Sequence, residues 1–259
     1  MNAQILAQLR QMPAEVAAYY ENLHTGQRWG WRAEEDFPAA SVIKVAIMLA
    51  ILRENQLGQL SLDQQRPVEM KDHVGGAGVL FELHDGVEVT VSDLYRLMIV
   101  VSDNVASNLL LDLLPEGALV RLFQDLGMTS TVMGRRFMEA ARPGHDNRTT
   151  ALDMGLCLTA LHRGELLDRN HTAQALATMR RQQFREKIPQ MLPPELSVAH
   201  KTGELEGVRH DVAVVEVPES PYVLCLLTQK GGPSWEVDHA LAQLSLAVYH
   251  WHCGDEPAA

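Results

Sequence analysis

Three short motifs follow one another along the chain: Ser41-Val42-Ile43-Lys44, Ser102-Asp103-Asn104 and Lys201-Thr202-Gly203. A serine hydroxyl is a weak nucleophile until a base within hydrogen-bond reach takes its proton. Residues three apart on a helix share a face, which sets Lys44 beside Ser41. The amine serves as that base only when neutral, and Val42, Ile43, Val45 and Ile47 would desolvate it while a second cation such as Lys201 lowers its pKa further. Ser102 would then hand a proton to a departing nitrogen, and Asn104 would orient Lys44 and the substrate amide. Lys201 and Thr202 present a cation and a hydroxyl to a carboxylate, and Gly203 lets a substrate backbone approach closely. The backbone N–H groups of Ser41 and Glu204 are candidates for an oxyanion hole, and Arg209 for a second carboxylate contact.

Each motif alone has an ordinary explanation: a capping serine followed by a surface lysine, a helix-cap cluster rich in Ser, Asp and Asn, an exposed strand arginine. The ordered set points instead to acyl transfer. Lysine usage agrees. Of the 22 basic residues only five are lysines, and two of those stand inside the motifs, where an amine that can lose its proton differs from a guanidinium that cannot.

The elements that must position these residues follow from periodicity. Loose alternation over 15–22 and extended character over 27–32 predict strands joined by a His24-Thr25-Gly26 turn, and β-branched or apolar runs predict two more over 208–217 and 222–228 around Pro218-Glu219-Ser220-Pro221. Helical spacing is present over 1–10, 41–55, 91–101, 104–114, 116–126, 150–163, 171–181 and 234–250. Phe37-Pro38-Ala39-Ala40 breaks the first strand region, 57–65 reads as a polar connector, Gly75-Gly76 as a flexible turn and 133–148 as a loop. Lys201-Thr202-Gly203 is expected just before a strand. Strands at both ends with helices between them predict an α+β fold: an antiparallel sheet built from both termini and flanked by helices, plus an inserted all-α domain. The corresponding boundaries are 1–40 and 195–259 for the sheet domain and 41–194 for the helical one.

A length of 259 residues allows a sizeable core, and a net charge of −11 with no sustained basic run excludes a nucleic-acid partner. The N-terminus lacks the charged start and apolar centre of a secretory signal. The longest apolar run, 45–52, is far short of the roughly 20 residues that cross a bilayer. The expectation is a cytoplasmic protein without a membrane partner, its oligomeric state left open. Cys157, Cys225 and Cys253 leave an odd thiol and show no metal spacing. His250-Trp251-His252-Cys253 reads as an amphipathic helix end, so no metal or other cofactor is expected.

Taken together, these motifs resemble those of the class A β-lactamase and penicillin-binding serine hydrolase superfamily, with separations of 61 and 99 residues similar to that family's. The likeness runs from about residue 15 to 249. It implies that Ser41 is the acylated nucleophile, Lys44 its base and Ser102 the proton shuttle, with Asn104, Lys201, Thr202 and Arg209 binding a small-molecule β-lactam or acyl-peptide/ester substrate. One departure concerns the Arg-x-Glu-x-x-Leu-Asn loop, whose glutamate activates the water that frees the acyl-enzyme. Here the stretch reads Arg135-Arg136-Phe137-Met138-Glu139-Ala140-Ala141, so the only glutamate, Glu139, is displaced by two places. Glu139 is the candidate deacylation base, with a loop ion pair as its alternative. Glu204, directly after Lys-Thr-Gly, would weaken binding of an anionic substrate if it faced the site. Two other functions stay open: a penicillin-binding or esterase-like enzyme with slow deacylation, and a non-catalytic module that binds a carboxylate.

Overall fold

The computed structural model describes residues 1–140 and 142–254. Helix α1 (Ala3–Gln11) starts at Asn2, whose side chain accepts the Ile5 N–H at 3.0 Å, and buries Ile5 and Leu9. Strands β1 (Glu15–Asn22) and β2 (Arg28–Trp31) form the expected hairpin. The Asn22 side chain closes its turn by accepting the N–H groups of His24 and Thr25, both at 2.9 Å. A two-residue strand β3 (Phe37–Pro38) then leads into α2 (Lys44–Gln56). A ribbon of β4 (Gln65–Val68) and β5 (Val87–Thr90) precedes α3 (Val91–Val100), α4 (Asn104–Leu113) and α5 (Ala118–Leu126). The short β6 (Arg148–Thr149) pairs with β3 before α6 (Ala151–Arg163) and α7 (Arg169–Met179). The chain ends with β7 (Val198–Leu205), β8 (Val208–Val215), β9 (Tyr222–Gln229) and α8 (Ser234–Cys253).

The antiparallel sheet runs β2-β1-β9-β8-β7, so the two termini do build it together. Its two faces serve different neighbours, because successive strand residues point to opposite sides. Ile5, Leu9, Val16, Ala18, Leu224, Leu241 and Leu244 pack α1 and α8 onto one face. On the other, Ala17, Tyr19, Val212 and Cys225 share a core with the helical segment. At the centre of that core is α2, buried without interruption from Lys44 to Leu52, as an apolar-all-round helix must be.

Three expectations are corrected. Lys201-Thr202-Gly203 lies inside β7 rather than before it; the polar and glycine residues mask a strand whose inward positions are set by pairing to β8. The 41–194 segment is not purely helical: it includes the four-residue strands β4 and β5 and the two-residue β6, short pieces that no periodicity in the sequence marks. Gly75-Gly76 belongs to a loop pinned against α4, not to a free turn. Among the described residues no helix is long and apolar enough to cross a membrane.

Candidate active site

Ser41 sits in the turn that enters α2, and its carbonyl accepts the Lys44 N–H at 3.3 Å. The residue before it, Ala40, has φ of +44°, a left-handed conformation that costs a β-carbon-bearing residue about 1–3 kcal/mol and is tolerated where the surroundings impose it. One turn on, Lys44 is fully buried, and its Nζ donates to the Ser102 carbonyl at 2.7 Å and to Asn104 Oδ1 at 2.8 Å. The Ser102 hydroxyl lies 3.2 Å away. Burial, reinforced by the charge of Lys201 and only partly countered by Asp103, pushes the Lys44 pKa well below its ordinary value. That is the direction a base requires.

Ser102 ends the link between α3 and α4 with φ of +58°. Its hydroxyl stands between two amines, 3.2 Å from Lys44 Nζ and 3.1 Å from Lys201 Nζ. Asp103 holds this corner: one carboxylate oxygen caps α4 through the Ala106 N–H at 2.9 Å, and the other accepts the N–H groups of Val79 and Leu80 at 2.7 and 2.9 Å. A β-carbon on Gly78, whose φ is +125°, would sit 2.4 Å from the Asp103 carboxylate, so only glycine permits this approach. Asn104 is fixed from both ends, since its Nδ2 donates to Gly75 O at 3.0 Å while its Oδ1 takes Lys44. The cap reading and the catalytic reading of Ser102-Asp103-Asn104 thus divide by residue: Asp103 is the cap, while Ser102 and Asn104 turn toward Lys44.

Strand β7 is an edge of the sheet and lies beside this corner. Lys201, fully buried, has its pKa lowered to about 7 by burial, with Asp211 and Lys187 pulling in opposite directions. A β-carbon on Gly203 would come within 3.1 Å of the Ser41 nitrogen, which explains the glycine by close contact. Thr202 lies opposite Asp211 across the β7–β8 ladder and is 2 % exposed. A cleft of about 570 Å³ opens here, lined by Ser41, Ala77, Asn104, Phe137, Glu139 and Glu204.

The loop ahead of β6 carries the least expected feature. Asn108, one turn into α4, clasps Phe137 by its backbone, donating to Phe137 O at 3.1 Å and accepting Phe137 N–H at 2.9 Å. The ring held this way faces Lys44, whose Nζ lies 4.5 Å from its centroid. Counting from Arg135 through Arg-x-Glu, Phe137 occupies the glutamate's place. Glu139 borders the cleft without facing Lys44: its side chain is 52 % exposed and turned to Arg136, whose backbone N–H it accepts at 3.3 Å. The Asn108 clasp sets residue 137, not Glu139, against Lys44, and Glu139 makes the ion pair with a neighbouring arginine that the sequence also allowed. Glu139→Gln should leave both acyl capture and acyl discharge unchanged in stopped-flow traces; slower discharge would return Glu139 to the site. Sequence reasoning overlooked Asn108, although its position four residues after Asn104, on the same helical face, was a usable signal.

Two further residues meet each other before any substrate. Arg209 Nη1 lies 2.7 Å from Glu204 Oε2, and its Nε donates to Asp238 Oδ1 at 2.8 Å. Arg209 is thus already satisfied within the chain. Glu204 does face the cleft, as the sequence allowed, but bound to cations. Among the described residues no cluster suited to a metal occurs. His252 is engaged by the Tyr20 hydroxyl at 2.7 Å and the Ser220 carbonyl at 2.8 Å.

Comparison with known proteins gives the family and the fold. The family model described as the β-lactamase enzyme family matches residues 1–252. A β-lactamase of Streptomyces lavendulae is 31% identical over 95% of this chain and 86% of its own length, and the AST-1 β-lactamase of Nocardia asteroides is 31% identical over 88% and 76%. Among solved structures, a Sphaerobacter thermophilus β-lactamase superposes with a TM-score of 0.92 at 28% identity, covering 98% of both chains. A point mutant of PBP-A in an acyl-enzyme complex with penicillin G gives 0.88 at 26% identity, covering 97% of this chain and 95% of that one. The fold and site define a serine hydrolase of the class A β-lactamase type. The chain belongs to the β-lactamase enzyme family.

Proposed function

We propose that Ser41 opens the amide of a β-lactam to form an acyl-enzyme, and that discharge of this acyl group limits turnover. The observation that carries the reading is the Ser102 hydroxyl between the Lys44 and Lys201 amines, at 3.2 and 3.1 Å. Neutral Lys44 takes the Ser41 proton as Oγ attacks the carbonyl carbon. Backbone N–H groups of Ser41 and Glu204 stabilise the oxyanion. The C–N bond then breaks, and the nitrogen receives a proton through Ser102 from the amine that collected it. Water finally attacks the ester, restoring the Ser41 hydroxyl and releasing the acid. This last step needs its own base, and an aromatic ring stands where a carboxylate would face Lys44. The ring at this position supports reading the protein as a β-lactam hydrolase with slow deacylation rather than as a separate penicillin-binding or esterase-like enzyme.

The cleft lies between the edge of β7 and the segment carrying α2 and α4, which supports reading 41–194 as the helical domain set into a sheet domain of 1–40 and 195–259. A cytoplasmic location remains part of this reading, tested by fractionation of the producing cell. Intact-protein mass spectrometry after mixing with penicillin G tests the chemistry. An adduct mapping to the Ser41 peptide should form quickly and persist well after free drug is removed. No adduct would overturn acyl-Ser41, and immediate disappearance would overturn slow discharge.

A further inference from the structure

Beside the cleft, two cations and two carboxylates cancel one another. Lys187, fully buried, donates to Glu204 Oε1 at 2.7 Å and lies 3.6 Å from Asp238 Oδ1. Arg209 bridges the same two acids, reaching Glu204 Oε2 at 2.7 Å and gripping Asp238 through Nε and Nη2. Of these four side chains Glu204 is the most accessible, 43 % exposed against 17 % for Arg209, 11 % for Asp238 and 0 % for Lys187. It is also the member that lines the cleft with Ser41. Burial alone would raise its pKa, yet Lys187 and Arg209 outweigh burial and hold it below the usual carboxylate range. The cleft-facing end of this quartet is thus a carboxylate held toward its charged form by two cations.

We propose that Glu204 fills, from within the chain, an anion subsite that Arg209 and Lys187 would otherwise offer to substrate, making it a specificity-determining residue that favours neutral acyl donors over carboxylate-bearing ones. The inference rests on Ser41 being the acylated residue, and it names the substrate class of that same site. An incoming carboxylate meets Lys201 but must compete with Glu204 for Arg209. A donor without that charge meets no such competition. Removing the Glu204 charge leaves the remaining three groups with one net positive charge, so an acidic ligand should gain a charge-assisted hydrogen bond. Such a bond is typically equivalent to about tenfold or more in affinity.

The test uses binding instead of turnover. In a Ser41→Ala background, which removes the hydroxyl, calorimetry measures penicillin G and its methyl ester. The background protein should bind the acid no more tightly than the ester. Adding Glu204→Gln should strengthen the acid at least about tenfold and leave the ester unchanged, whereas adding Glu204→Asp should keep the original ranking. No gain for the acid, or an equal gain for both ligands, overturns the proposal. Should Glu204→Gln unfold because Lys187 loses its partner, the background protein alone decides: a tenfold preference for the acid there also overturns it. Failure of acyl-Ser41 would be seen separately, as a missing adduct on the unaltered protein.

Discussion

Lys44→Met should lower the rate of acyl capture by at least about 10²-fold, the lower range for a positioned acid or base. Methionine is close to lysine in length and shape, so the centre of α2 keeps its packing while losing the amine. The expected loss is chemical because the variant removes the buried amine one turn after Ser41 while keeping the helix that holds it. Burial and Lys201 depress the Lys44 pKa, so in the unaltered protein capture should rise with pH as Lys44 gives up its proton. It should then decline above about 7, where Lys201 loses its charge, if that charge anchors substrate as proposed. In Lys44→Met the acid limb should vanish while the alkaline limb remains. Stability should fall as well, since the Ser102 carbonyl and Asn104 Oδ1 lose a buried donor, at about 1–3 kcal/mol for each group. Rates must therefore be measured well below the midpoint of unfolding. Near-normal capture by folded Lys44→Met would refute its role as base.

Phe137→Glu should act on the other half of the cycle. Asn108 holds the backbone of residue 137 through two hydrogen bonds, at 3.1 and 2.9 Å, and neither involves the side chain. A glutamate placed there inherits the ring's direction, toward Lys44 Nζ. Its carboxylate could hold and deprotonate a water beside the acyl-ester, raising discharge by at least about 10²-fold. The same carboxylate would favour protonated Lys44 and so slow capture near neutral pH. Opposite changes in the two steps distinguish this from general damage to the site, which would slow both. Time-resolved mass spectrometry reads both steps, as the growth of the adduct and its decay after drug is removed. Phe137→Gln, similar in shape to the glutamate but without a charge, should leave decay unchanged. Unaltered decay in Phe137→Glu would mean that discharge is limited by something other than a missing base at this position.

Much of the architecture was legible because it follows from local pattern. β1 alternates loosely, β8 and β9 are β-branched or apolar runs, and the turns between the paired strands carry Gly26 and Pro218-Glu219-Ser220-Pro221. The long helices show the spacing and caps that define them, such as the Thr90–Asp93 capping box of α3. What escaped was short or polar. β3 and β6 have two residues each, too few to display a period. β7 was hidden because Lys201-Thr202-Gly203 and Glu204 read as a functional loop, although pairing with β8 runs through all of them. The site was legible as a set of residue types. Its loop was not, because the sequence contains a glutamate near the family position and nothing local shows which of residues 137 and 139 turns inward.

By itself, the order of residues determined the nucleophile candidate, the neighbouring amine and the sheet built from two ends, since each depends on spacing within a helix or strand. Tertiary structure alone decided the electrostatics. Lys44 is starved of water by a core drawn from the whole chain, Ser102 meets an amine 99 positions away, and Phe137 reaches Lys44 only through Asn108 on another element. Glu204 is paired with Lys187, 17 positions earlier, and with Arg209 on the neighbouring strand β8. Charge and reactivity depend on distance through space and on exclusion of water, and neither quantity is written in the local sequence.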